Sequence, residues 1–200
     1  ARIDTAQWGP DTEFYNKISS NEGDALTYFI SAGQTARDYA TLIEAFRRMD
    51  HQLKIFCTPK SKPRVDDLPP NVSINSSFIP YEELLTFYKD SIAILIPLKY
   101  PSIQEGCQGM TSLQDVVALG KPTVITENPC INIDAAKEGF GITVGKGDVQ
   151  GWIDAVELIA NDKSVFQRMS GQARRVYKES FNAELFGEKL EEAILKIPLR

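Results

Sequence analysis

The chain has 200 residues, of which 42% are hydrophobic and 24% charged, and a formal net charge of −5. That length suits one domain, or two small ones, and the composition excludes a disordered, collagen-like or disulfide-scaffold protein. The acidic balance, with 22 Lys+Arg against 27 Asp+Glu, disfavours general nucleic-acid binding, so any bound phosphate has to meet a few local donors.

In chain order, Gly9-Pro10-Asp11 reads as a linker leading to a short helix over Thr12 to Ser19. Leu26 to Ala32 reads as a buried strand bounded by Gly23-Asp24 and Gly33. Tyr39, Leu42, Ile43 and Phe46 then recur at helical spacing and form one apolar face. Gln52 to Cys57 and Asn71 to Asn75 are strands, separated by the proline-rich, charged loop Thr58 to Pro70. Pro80 opens a helix reaching Lys89, since proline is tolerated in a first turn. Ser91 to Pro97 is a nearly continuous apolar strand, the pattern of one covered on both faces. A loop over Lys99 to Gln108 leads to a helix over Gly109 to Leu119, which Gly120 stops. Lys121 to Glu127 and Gly141 to Gly145 are the last strands. Helices follow over Val149 to Ala160, Ser164 to Glu179 and Ala183 to Lys196. Strands alternating with helices predict an α/β fold, an open parallel sheet with helices on both faces.

The longest apolar stretch, Ile92 to Leu98, is far short of the ~20 residues that cross a bilayer. Ala1 to Pro10 lacks the apolar core of a secretory signal. Cys57, Cys107 and Cys130 form no CxxC pair and read as reduced thiols of a cytoplasmic protein. His51, the single histidine, reads as a polar residue at a helix end. With one histidine there is no two-His metal motif.

Ligands of open α/β sheets bind beyond the carboxyl ends of the strands, where three loops stand out. Gly33-Gln34-Thr35-Ala36-Arg37-Asp38 precedes a helix, so backbone N–H groups and the Arg37 guanidinium suit an anion. Read without function, Asp38 complements the helix dipole and Arg37 is solvated. Gly106-Cys107-Gln108-Gly109-Met110-Thr111-Ser112 also leads into a helix and forms a phosphate cradle, but is neither a P-loop nor a GxGxxG fingerprint. Asp115 lies on that helix, where a carboxylate accepts hydroxyls or simply complements the dipole. Glu127-Asn128-Pro129 fits turn chemistry.

Pro101-Ser102, Glu105-Gly106, Gly109 and Leu113-Gln114-Asp115 through Gly120-Lys121-Pro122-Thr123-Val124-Ile125 together resemble the nucleotide-sugar site of GT4-like retaining glycosyltransferases of the GT-B fold. Trp8-Gly9-Pro10-Asp11 through Tyr15 is similar to that family's inter-domain linker, Gly33 to Phe46 to its first strand–loop–helix, and Gly147-Asp148, Met169 to Arg174 and Phe181 to Glu184 to its tail. The resemblance runs in order along nearly all 200 residues. It implies the Rossmann-like C-terminal half of a GT-B enzyme. Residues 1–25 would be linker and short helix, 26–180 the donor-binding domain, and 181–200 a helix packing on the other half.

The resemblance also implies roles. Gly33, Gln34, Arg37, Gly109, Met110 and Thr111 would hold the donor diphosphate, and Asp115 the ribose. Ser77, Phe78 and Ile79 would lie near the base, and Glu105 would be the sugar-facing catalytic acid. The family's first Glu falls on Cys107, with Glu105 two positions earlier; Gln34 stands for its Arg, and Asp115 for its second Glu. The implied partners are a nucleotide diphosphate sugar and an acceptor held mainly by the other half, through which any membrane-surface association would run. The resemblance implies neither metal nor cofactor. A retaining sugar transfer in glycan or polysaccharide synthesis is the expected function. An inactive nucleotide-sugar-binding module and a GT-B-like sugar-nucleotide epimerase are the alternatives.

Overall fold

The computed structural model describes residues 6–18, 26–99, 106 and 108–196. Six strands form one sheet: β1 (Tyr28–Ala32), β2 (Gln52–Phe56), β3 (Val72–Asn75), β4 (Ile94–Ile96), β5 (Thr123–Thr126) and β6 (Gly141–Val144). Seven helices accompany them: α1 (Thr12–Ile18), α2 (Tyr39–Phe46), α3 (Tyr81–Lys89), α4 (Met110–Leu119), α5 (Val149–Asn161), α6 (Lys163–Glu179) and α7 (Ala183–Leu195). The strand order is β3-β2-β1-β4-β5-β6 and every pairing is parallel. This is the Rossmann-like open sheet that the alternation of elements predicts, and each strand points its carboxyl end to the same edge.

Alternation along β1 divides the core. Tyr28, Ile30 and Ala32 face α3, α4 and α6 in one apolar cluster, while Phe29 faces α2 and α5 in the other. Burial on both sides makes β1 and β4 fully buried strands. β4 is shorter than its apolar run suggests. Backbone pairing does extend beyond its start, since Ile30 N–H donates to Ala93 O and Ile92 N–H to Tyr28 O, but Pro97 has no N–H to prolong it. Asp38, Asp148, Asp162 and Asn182 cap α2, α5, α6 and α7 through their side chains.

Gly9 lies against the α6–α7 junction. A Cβ there would sit 2.5 Å from Asn182 N and 2.7 Å from Phe181 C. Ala183 N–H donates to Pro10 O at 2.9 Å, fastening the stretch before α1 to the start of α7. Helix α7 itself buries none of its side chains, and Leu190, Ile194 and Leu195 are exposed. No described helix is long and apolar enough to cross a membrane.

Candidate functional site

The sheet order reverses between β1 and β4, the point at which open α/β sheets open a crevice. A cavity of about 580 Å³ lies there, walled by the β1–α2 loop, by α3 through Tyr81, Leu84 and Tyr88, and by the first turns of α4. Gly33, Gln34, Arg37, Gly109, Met110, Thr111 and Asp115, chosen from sequence, all line it.

Each wall has a local cause. Gly109 begins α4 with φ +89°, a left-handed conformation that glycine adopts freely. A Cβ there would lie 3.0 Å from Ile96 Cγ2, so the turn packs directly on the end of β4. The amides of Met110, Thr111 and Ser112 fall in the first helical turn, which has no preceding acceptors, and the helix dipole adds partial positive charge. Asn128 Nδ2 pins the preceding turn by donating to Gly106 O and Gln108 O at 3.2 Å each. Glu127-Asn128-Pro129 is therefore more than turn chemistry: it braces the glycine turn.

Gly33, at φ +135°, clears the space that Arg37 fills: a Cβ would lie 2.6 Å from Arg37 Nε and Nη2. Arg37 folds back over it. Its Nε donates to Ala32 O at 3.2 Å and its Nη2 to Ser112 Oγ at 2.9 Å, joining the β1–α2 loop to α4. No described carboxylate pairs with it, and burial draws its pKa below the ordinary arginine value. A desolvated cation beside helix-terminal amides offers an anion a strong local set of donors.

Asp115 is 3% exposed. Its Oδ1 accepts from Tyr15 of α1 at 2.5 Å and from Tyr81 of α3, and the two tyrosine oxygens are 2.8 Å apart. Burial pushes the Asp115 carboxyl up to about 6, with the two tyrosine hydrogen bonds opposing it. Burial, then the Asp115 charge, raises both phenols well beyond the ordinary tyrosine range. Both hydrogen bonds fall on Oδ1; Oδ2 has no described partner.

Other selected residues lie elsewhere. Ser77, Phe78 and Ile79 lie in the β3–α3 loop outside the cavity lining, with Phe78 92% exposed. Glu105, with Cys107, lies outside the described residues. His51 sits against α5, its Nε2 3.2 Å from Glu157 Oε2. No group of three His, Cys, Asp or Glu among the described residues could hold a metal ion. Sequence reasoning gave no site role to Ser112, Tyr15, Tyr81 or Tyr88. Ser112 closes the glycine-turn segment read from sequence, but nothing local marks the tyrosines, which α1 and α3 deliver.

No family model and no curated protein sequence matches this chain. Solved structures do. A glycosyltransferase from Rickettsia africae superposes with a TM-score of 0.72 at 14% identity, over 96% of this chain and 57% of that one. The glycosyltransferase VinC, in complex with DTDP, gives 0.57 at 16% identity over 94% of this chain and 45% of its own. The chain thus spans about half the length of either. The C-terminal domain of a group 1 family glycosyl transferase from Francisella tularensis gives 0.56 at 14% identity, over 94% of this chain and 98% of that one. These likenesses, with the all-parallel six-stranded sheet, give the chain the fold of the C-terminal domain of a GT-B glycosyltransferase.

Proposed function

We propose that the chain is the donor-binding part of a glycosyltransferase that uses a nucleoside diphosphate sugar. One observation carries this: Arg37, unpaired with any described carboxylate, is fixed to Ser112 at the amino end of α4 and opens on the same cavity as Asp115. In this proposal the diphosphate lies against the amides of Gly109, Met110 and Thr111 and against Gly33, Gln34 and Arg37. The ribose hydroxyls reach Asp115 Oδ2, and the base extends toward Ser77, Phe78 and Ile79. Fixed donors stabilise the leaving nucleoside diphosphate as its charge develops. Glu105 is proposed as the acid facing the sugar, and transfer with retention, in glycan synthesis, as the reaction. A second half is proposed to complete the cleft and to hold most of the acceptor, with the exposed apolar residues of α7 packing on it. The VinC complex with DTDP supports a nucleotide in this fold.

Calorimetric titration with UDP, GDP and ADP tests the proposal. Saturable binding of at least one is expected, weakened by Arg37→Ala by about 1.5–3 kcal/mol. Absence of binding by all three to the folded chain would refute it.

A further inference from the structure

A second cavity, also about 580 Å³, lies on the other side of the β1–α2 loop, against α2 and the β2–β3 loop. Arg37, Lys60, Lys62, Arg64 and Lys99 line it together with Thr58 and Ser61, and among the described residues no carboxylate does. That concentration runs against the net charge of −5. The nearby acids are turned to other work: Asp38 caps α2 through Thr41, Asp67 pairs with Arg47 at 3.0 Å, and Glu44 pairs with Arg48 at 2.7 Å. Lys60, Lys62, Arg64 and Lys99 form no ion pair with any described residue. The loop carrying three of them is held in shape. Ser61 Oγ accepts from Thr58 N–H at 3.1 Å and lies 2.9 Å from Thr58 Oγ1, while Lys99 N–H donates to Ala36 O at 2.8 Å.

Five like charges around one concavity repel one another until an anion enters. We propose that this cavity binds the phosphoryl group of a small phosphorylated acceptor. The concave form and volume suit a small molecule better than a membrane plane. Arg64 offers planar, bidentate recognition and the lysines mobile point charges, the usual combination for phosphate. The site is not a repeat of the donor cavity, because it lies across the loop. Gln34, Thr35 and Arg37 line both spaces, so a ligand in one is a single loop's thickness from a ligand in the other. The word acceptor rests on the donor reading above. In the transfer so assigned, an acceptor hydroxyl oxygen bonds to the anomeric carbon as the bond to the diphosphate oxygen breaks. The nucleoside diphosphate leaves with that electron pair, and the hydroxyl proton passes to it or to solvent.

The test is calorimetry on the 200-residue chain with inorganic phosphate and glucose 6-phosphate, glucose as the uncharged control, and the nucleoside diphosphates in parallel. The protein is wild type or the exposed-residue variant Lys60→Gln/Lys62→Gln/Arg64→Gln. The expected result is phosphate-dependent binding that the variant weakens at least tenfold, with nucleoside diphosphate affinity held within twofold. Binding of nucleotide but of neither phosphate probe would overturn the inference alone. Equal loss of both ligands in the variant would also overturn it, since the cavity would then belong to the donor. Adding vesicles containing phosphatidylglycerol gives the last arm: variant-sensitive capture on them, without glucose 6-phosphate binding, would overturn the small-molecule assignment. Phosphate binding with no nucleotide binding would overturn the donor reading while upholding the anion cavity.

Discussion

Tyr15 Oη lies 2.5 Å from Asp115 Oδ1, although 100 positions separate them in the chain. With Tyr81 they form a triangle of three oxygens. Two phenolic protons cannot fill three edges, so the ionised carboxylate leaves one edge without a proton, and protonating Asp115 fills it. The two phenolic hydrogen bonds favour the ionised carboxylate, and burial outweighs them to hold the carboxyl up at about 6.

The first prediction follows by linkage. Between about pH 4, where the unfolded carboxyl ionises, and about pH 6, where the folded one does, the folded state holds the extra proton. Stability from this group therefore falls as pH rises through that window, by roughly 3 kcal/mol. Urea unfolding at stepped pH should show the fall in wild type and not in Asp115→Asn. Carbon-13 NMR titration of the carboxyl should move above about 6 in Tyr81→Phe, because that hydrogen bond opposes the burial. An unchanged slope in Asp115→Asn would refute the assignment.

The opposite sign holds at Lys121. Its Nζ donates to Ser91 O at 2.7 Å in the core, and burial lowers its pKa to about 8. Between about pH 8 and about pH 10.5 the unfolded chain binds more protons, so stability rises with pH. Lys121→Met should flatten that rise, measured by the same unfolding series.

Gly33→Ala places a methyl in the volume of the Arg37 guanidinium and at an unfavourable φ. A stability loss of about 1–3 kcal/mol is expected. Nucleoside diphosphate affinity should drop as far as it does in Arg37→Ala, because the displaced guanidinium leaves Ser112. Retained affinity, read by calorimetry, would show that Arg37 is not the anion contact.

Gly9→Ala should cost about 1–3 kcal/mol by overpacking. The added methyl meets backbone atoms of Asn182 and Phe181 that cannot rotate away. Differential hydrogen exchange should show the loss concentrated at α1 and at the start of α7, with β1 to β6 unaffected.

The order of elements was legible because each carries its period locally: the apolar run ending at Pro97, the Tyr39–Phe46 face, and the glycines that bound α4. The glycine turn and Arg37 were legible for the same reason, being contiguous with a strand end and a helix start. The tyrosine triangle was not, since Tyr15, Tyr81 and Asp115 share no segment and only the docking of α1 and α3 on α4 joins them. The basic cavity was equally hidden. Lys60, Lys62 and Arg64 read as scattered loop charges until parallel pairing of β1 with β2 and β4 brings Lys99 beside them. Proline in the Lys60–Arg64 run marks a loop, and charge alone does not tell which way it folds.

The contact of Gly9 with Asn182 makes a short mechanical linkage. Ala183 N–H grips Pro10 O, and Tyr15 N–H closes the first turn of α1 on Asp11 O at 3.1 Å. Few freely rotating bonds therefore separate the base of α7 from the phenol that covers Asp115. The start of α7 and the phenol bonded to Asp115 are thus tied together through one stretch of chain, Pro10 to Tyr15.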